Sequence, residues 1–305
     1  MEIIGGILLL AIFVLPFLTF ASSRKDIYVD GLKSGVESGT AANPYHTISE
    51  ALKHANNRTD VHVAKGEYKD NIEIPKGVKI FGSGQGEVVI TAKNDRKVVV
   101  SMKDNTEINK LTIQEGREGV WIKEDARVSI IKCTIKDNRK DGINIASGST
   151  KKADAVSITD STIKNNGRSG IFSQKRRLVL INNEVIENDS DGADFAAGTS
   201  AWIEDNKFND NDGSGLKLNF DNSNIWTKGN DYRDNKHSGL EVNAFGGAGR
   251  IDINKSNFIE NKNFGIARIA RGNVSINVWE GLTVQSNTTF EMTKIGKISS
   301  IIQVR

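Results

Sequence analysis

The chain has 305 residues, with 41 Lys and Arg against 38 Asp and Glu, and a net charge of +3 spread along its length. With no basic block and no nucleic-acid motif, the balance argues against a nucleic-acid partner. A single cysteine, Cys133, rules out an intramolecular disulfide and reads as a packed thiol in a turn.

Residues Ile3 to Ala21 are apolar apart from Thr19 and carry no charge. Such a segment exports or anchors a chain and stands outside the fold. Thr19-Phe20-Ala21 offers a small-residue cleavage site. Glu2 ahead and Arg24-Lys25 behind fit a retained anchor instead, and about 19 residues can span a bilayer. Residues 1–23 are therefore a signal peptide or an N-terminal membrane anchor. The remainder is expected to be secreted, periplasmic or membrane-anchored facing outside, although Arg24-Lys25 alone would favour a cytoplasmic flank.

Residues 24–82 form an N-terminal cap and first coil. Thr47-Ile48-Ser49-Glu50 is a capping box opening a short amphipathic helix to about Asn56. Such a helix can plug the open end of a stacked structure and hide its edge strands. Irregular strands follow at Val88-Val89-Ile90, Val98-Val99-Val100 and Ile108 to Ile113.

Residues 128–269 then repeat one pattern six times: Asn, three residues, Gly, and a strand. The pairs are Asn138/Gly142, Asn166/Gly170, Asn188/Gly192, Asn211/Gly215, Asn235/Gly239 and Asn261/Gly265, with glycines 28, 22, 23, 24 and 26 residues apart. A degenerate copy ends at Gly119-Val120-Trp121-Ile122. Upstream of each glycine lie sets such as Val128/Ile130/Ile135, Val156/Ile158/Ile163 and Ile251/Ile253/Phe258. This is period-two alternation in short runs broken by Asn, Asp and Gly, with no room for a helix between strands. Each repeat must be one coil of short strands that buries its apolar side only by stacking on the next. The Asn residues are expected to take left-handed turn geometry and to bond along the stack, and the glycines to allow a second bend. Val274, Ile276 and Val278 begin one more coil, and residues 291–305 are expected to cap the far end.

The pattern resembles the right-handed parallel β-helix superfamily with the pectate-lyase-like fold, over roughly residues 27–290. The opening stretch, with Ile27-Tyr28-Val29-Asp30-Gly31 and Asn43-Pro44-Tyr45-His46-Thr47-Ile48, is similar to the N-terminal segment of bacterial members. Pectin methylesterases share that opening, but no counterpart of their catalytic aspartate segments occurs here. The resemblance implies an all-β solenoid, 83–290, and a polysaccharide partner. It does not choose among lyases, hydrolases, esterases, epimerases and non-catalytic adhesins. The sequence gives no sign of oligomeric state.

Chemistry in such a rod belongs on outward columns. Two residues after each repeat glycine stand Trp121, Asn144, Phe172, Asp194, Lys217, Glu241 and Ala267, which the resemblance places on the substrate groove. Trp121 and Phe172 are candidate sugar-stacking residues, and the charged members candidate binding or catalytic groups. An ordinary solvated strand face is the alternative. A second column contains Ser129, Ser157, Val179, Trp202, Trp226 and Asp252. Its tryptophan pair is a sugar platform or a stack covering backbone.

Asn188-Asp189-Ser190-Asp191-Gly192-Ala193-Asp194 resembles the Asn-x-Asp-Gly-x-Asp segment of polygalacturonase-type hydrolases, with Asp191 and Asp194 in matching places. The family's paired-Asp place is held by Gly213-Ser214, His237 is one position off, and Arg268-Ile269-Ala270 keeps the Arg without the Lys. Asp191, Asp194, Lys217, His237, Glu241 and Arg268 form the candidate catalytic set, with Lys217 or Arg268 as the base of a uronate lyase on an acidic glycan. Asp189, Asp191, Asp210 and Asp212 cluster on adjacent coils and could hold Ca²⁺ through oxygen ligands, or could simply satisfy turn backbone. The competing class is a non-catalytic structural or adhesive surface protein.

Overall fold

The computed structural model describes residues 23–84, 86–245, 247–270, 272–279, 281–287, 290–292 and 302–304. The expected export or anchor segment lies outside these residues, except Ser23. So does the expected C-terminal cap, apart from the strands Phe290–Met292 and Ile302–Val304, which add to two of the sheets.

The described chain is a parallel β-solenoid with three strand faces. A twelve-strand sheet begins at Lys25–Val29 and includes Val128–Ile131, Ser200–Glu204 and Ser223–Lys228. A ten-strand sheet includes Val120–Ile122, Ile171–Ser173, Ala193–Phe195, Leu216–Asn219 and Leu240–Asn243. The third face is a six-strand sheet, continued through bridges at Lys207 by a three-strand one. Each strand pairs in parallel with its equivalents in neighbouring coils, as Ile135 does with Ile113 and Ile163. Alternate residues point inward, and the Ile, Val and Leu of every face meet in one continuous core. No helix among the described residues is long and apolar enough to cross a membrane.

Two corners per coil carry a left-handed residue, for example Lys132, Asp160, Asn182 and Asp205 at the first and Asp137, Asn165, Glu187 and Asp210 at the second. The left-handed residue is thus the one before the repeat asparagine and not the asparagine itself. That turn sends the asparagine side chain inward, where its amide can both donate and accept along the stack. From Asn138 through Asn166, Asn188, Asn211, Asn235 and Asn261 to Asn287, each Nδ2 donates to the next Oδ1 at 2.9–3.1 Å. The same Oδ1 atoms accept the backbone N–H of the preceding asparagine. A second ladder, Asn183–Asn206–Asn230, occupies the first corner. Cys133 belongs to that column. Its N–H donates to Ser161 Oγ, and burial pushes its thiol up to about 12.

The chain bends at the repeat glycines Gly142, Gly170, Gly192, Gly215 and Gly239, as expected, but without left-handed geometry. They are required by space: a Cβ on Gly142 would stand 2.7 Å from both Gly170 O and Asn166 Nδ2.

At the first end, the helix runs Ile48–Lys53, three residues short of the expected Asn56, with Ile48, Ala51 and Leu52 buried. Thr47 Oγ1 accepts from Glu50 N at 3.1 Å, but Glu50 does not reach back; it pairs with Lys53 at 2.7 Å and His54 at 3.2 Å. The free edge of strand Lys25–Val29 is met by the following loop, with Tyr28 donating to Gly39 O and Tyr45 donating to Tyr28 O.

Phe208, Tyr232 and Phe258 stack inside the rod at 5.3 and 4.7 Å. The Tyr232 hydroxyl is fully buried among them with no hydrogen-bond partner. Tyr232→Phe should therefore raise stability, by about 1 kcal/mol. Asn211→Ala strands the N–H groups of Asn188 and should lower it by about 2–3 kcal/mol. Urea unfolding of the two variants beside the parent chain checks both signs.

Candidate functional site

The strand register aligns the outward column as Trp121–Asn144–Phe172–Asp194–Lys217–Glu241–Ala267 on the ten-strand sheet. Stacking at about 4.8 Å per coil brings residues distant in sequence side by side. Lys217 Nζ lies 3.5 Å from Asp191 Oδ2, while Asp191 Oδ1 accepts the Ser214 N–H at 2.8 Å. Ser214 Oγ donates to Glu241 Oε2 at 3.1 Å, and Asn243 donates to Glu241 Oε1 at 3.0 Å. Asn243 also donates to Asn219 Oδ1, and Asn219 to Asp194 Oδ1, each at 3.1 Å. The result is one hydrogen-bonded row of three carboxylates, one ammonium, two amides and a hydroxyl.

Burial dominates the electrostatics. It raises Asp191 above the ordinary carboxylate range, against the opposing pull of the Ser214 N–H and Lys217. Asp194 is raised for the same reason, with Lys217 opposing. Burial by itself would lower Lys217, but Asp191, Asp194 and Glu241 together outweigh it and hold the ammonium protonated. Carboxyls that retain a proton above their usual range can donate it to a glycosidic oxygen, and those that lose it can accept sugar hydroxyls.

Other expected residues fall elsewhere. Arg268 pairs in register with Val242, an inward position; it is buried, with its guanidinium on Val274 O at 2.8 Å and Gly272 O at 2.7 Å. It therefore does not reach the face and cannot serve there as a base. His237 is exposed in the turn before its strand, outside the hydrogen-bonded row. Trp121 and Phe172 are half-buried on the same column, three coils and one coil before Asp194 respectively. Trp202 and Trp226 lie on the twelve-strand sheet with ring centroids 3.6 Å apart and planes 21° apart. Each indole gives a face to the other, and Trp202 Nε1 is tied to Glu204 at 2.9 Å. That arrangement is a stack along the rod, with less ring face for a sugar than the pair suggested.

The aspartates proposed for Ca²⁺ do not converge. Asp210 is a left-handed corner residue, Asp212 pairs with Lys236 at 2.6 Å, Asp189 is exposed, and Asp191 turns into the row with Lys217. Among the described residues no three His, Cys, Asp or Glu side chains are placed to hold a metal ion. Asp191 accepts the Ser214 backbone N–H, as the turn explanation expects.

Apart from Asp191, sequence reasoning missed the column immediately before the glycines: Glu118, Asp141, Ser169, Asp191, Ser214 and Ser238, all buried. Asp141 repeats the Asp191 arrangement upstream. It accepts a backbone hydrogen bond from Ser169 in the next coil and the Asn144 amide at 2.9 Å, and burial raises its carboxyl. The signal was available as Asp-Gly, Ser-Gly, Asp-Gly, Ser-Gly in successive repeats. Asn219 and Asn243, four residues after their glycines, were missed as well.

The family described as the right handed beta helix region matches residues 54–207 and 118–289, more than half of the chain. The chain belongs to that family, and its fold is the pectate-lyase-like parallel β-helix. It is similar in structure to the mannuronan C-5 epimerase AlgE4 A-module of Azotobacter vinelandii, with TM-score 0.57, 16% identity, and 87% of this chain and 90% of that one covered. It is also similar to the enzymatically active domain of bacteriophage CBA120 tailspike protein 2, at TM-score 0.64 and 15% identity, covering 85% of this chain and 42% of that one. A third is the catalytic unit of a thermostable alpha-1,3-glucanase from Streptomyces thermodiastaticus, at TM-score 0.55 and 13% identity, covering 93% and 68%. No curated protein matches the chain by sequence.

Burial makes the pH response of this row predictable. A carboxyl raised in the folded state takes up its proton there before it does in the unfolded chain. Its stabilising effect is complete below the unfolded pKa and is lost as pH rises through the folded one. Asp194→Asn, a neutral isostere, should raise the melting temperature at about pH 7 and leave a smaller change on going to about pH 5 than the parent shows. Thermal melts at both pH values check it; an unchanged pH response would contradict the burial of Asp194.

Proposed function

We propose that this chain is an exported carbohydrate-interacting protein that holds a polysaccharide along its ten-strand face. The observation that carries the reading is the row in which Asp191, Asp194 and Glu241 surround Lys217. Carboxylates held partly out of water are costly to stability, and such groups concentrate where chemistry or recognition needs them. Sugar hydroxyls offer the donors and acceptors that carboxylates, amides and an ammonium recognise, and Phe172 and Trp121 on the same column add ring surface. Neighbours of this fold named as a mannuronan epimerase and an alpha-1,3-glucanase support a glycan as the ligand class. The apolar stretch Ile3 to Ala21 supports export.

The charge of the row selects among glycans. Three carboxylates face one ammonium, and Arg268 is withdrawn from the face. A polyuronate would add further negative charge to a row whose ammonium is already shared among three carboxyls. A neutral glycan fits better, and with it hydrolysis or plain binding over uronate elimination. For hydrolysis, Asp191 or Asp194 is the proton donor and a second carboxyl of the row the base or nucleophile.

Asp194→Ala combined with Lys217→Ala should abolish binding or turnover of the glycan, measured by calorimetry and by reducing-end release. Trp202→Ala with Trp226→Ala should leave both nearly unchanged. The reverse pattern would move the groove to the twelve-strand face. Tight binding to polyuronates with a rise in unsaturated-product absorbance would replace this reading with the lyase.

A further inference from the structure

We infer that the loop after the first strand, residues 30–38, is a membrane-contacting surface, so that the rod stands end-on against a lipid bilayer. The large hydrophobic side chains exposed among the described residues are Leu32 at 84%, Val36 at 77%, Phe245 at 73% and Trp202 at 37%. Two of them share this one loop. Scattered exposed hydrophobics are ordinary, but two of this exposure within five residues form an apolar tip.

The position of the loop gives the occupant. Strand Lys25–Val29 is the outermost strand of the twelve-strand sheet at the first end of the rod. The chain continuing from the loop covers that strand's free edge through the Tyr28–Gly39 and Tyr45–Tyr28 backbone bonds, so the loop lies at this end of the rod. The chain before this strand is Ile3 to Ala21, uncharged and long enough to span a bilayer at about 20 residues. Only Ser22 and Ser23 separate it from Arg24. Arg24 is pinned to the first coils by hydrogen bonds to Thr59 O and Gly77 O at 2.8 Å. A bilayer entered by residues 3–21 must therefore lie close to the end of the rod that carries Leu32 and Val36. The Lys33 ammonium folds back onto Ala41 O and Ala42 O at 3.2 and 3.0 Å, while Leu32 and Val36 stay exposed. Apolar groups at an interface gain by burial in proportion to their area, and the gain adds to that of the anchor.

The test uses the full chain reconstituted in vesicles of phosphatidylethanolamine and phosphatidylglycerol, labelled with an environment-sensitive fluorophore at Val36→Cys or, as a control, at Phe245→Cys. The native Cys133 is fully buried and stays unlabelled. The expected result is blue-shifted emission at 36 that spin-labelled lipids quench, with water-like, unquenched emission at 245. Water-like emission at both positions would overturn the proposal. So would a blue shift at 36 that lipids do not quench, since residues 3–21 would then cover the loop, and so would equal quenching at both positions, since the rod would then lie flat. Because both labelled residues are exposed, misfolding is not the expected cause of any of these outcomes, and glycan binding by the same samples is scored separately.

Discussion

The asparagine ladder is the interaction on which the rest depends. A β-solenoid must turn its backbone several times per coil, and each turn points peptide groups away from the sheet ladders. Buried groups of that kind cost about 1–3 kcal/mol each when unpaired. Here one side chain settles several of them. Asn211 takes the N–H and the amide of Asn188 and gives its own amide to Val185 O, Asn209 O and Asn235 Oδ1. Only a primary amide has donors and acceptors enough for this. The ladder also fixes which residue of one coil sits above which residue of the next, so it sets the register of the outward columns.

That register explains why the candidate site is a row. A functional side chain in this fold cannot be moved independently of its coil. It can only be chosen at a column whose spacing is already set. Asp191, Ser214 and Glu241 touch because their positions relative to the glycines bring them together, and the glycines are fixed by the closeness of the coils. The same closeness keeps water from Asp191 and raises it. Rigidity of the scaffold and perturbation of its carboxyls therefore have one cause.

Much of this was readable in the chain. The Asn-to-Gly spacing gave the coil, the register of the Trp121–Ala267 column and the pairing of Trp202 with Trp226, because period-two alternation leaves no freedom once the glycines are aligned. Side-chain direction near the corners was less readable. Arg268 was counted with the outward face, although its place beside Val242 is inward; a buried guanidinium that reaches backbone carbonyls leaves no hydrophobic signature. Arg176 is the same case, with no exposed surface and a guanidinium directed to the carbonyls of Ala126 and Lys123. The asparagines were read as left-handed because that residue type tolerates the region, but so do Lys132, Glu187 and Asp137, and the amide was needed elsewhere.

The column before the glycines suggests how far a ligand would extend. Asp141 and Asp191 each accept a backbone N–H from a serine in the next coil, and each is raised by burial. They stand two coils apart, about 10 Å at the strand spacing. Phe172 lies between them on the neighbouring column, flanked by Asn144 and Asp194. Each aspartate is held at its depth by the turn it serves, through the serine N–H of the next coil. A polymer lying along the rod axis meets like groups at regular intervals, which a compact ligand does not. Under the proposed function, Asp141 would extend the contact face toward Trp121 beyond the Asp191–Lys217 centre.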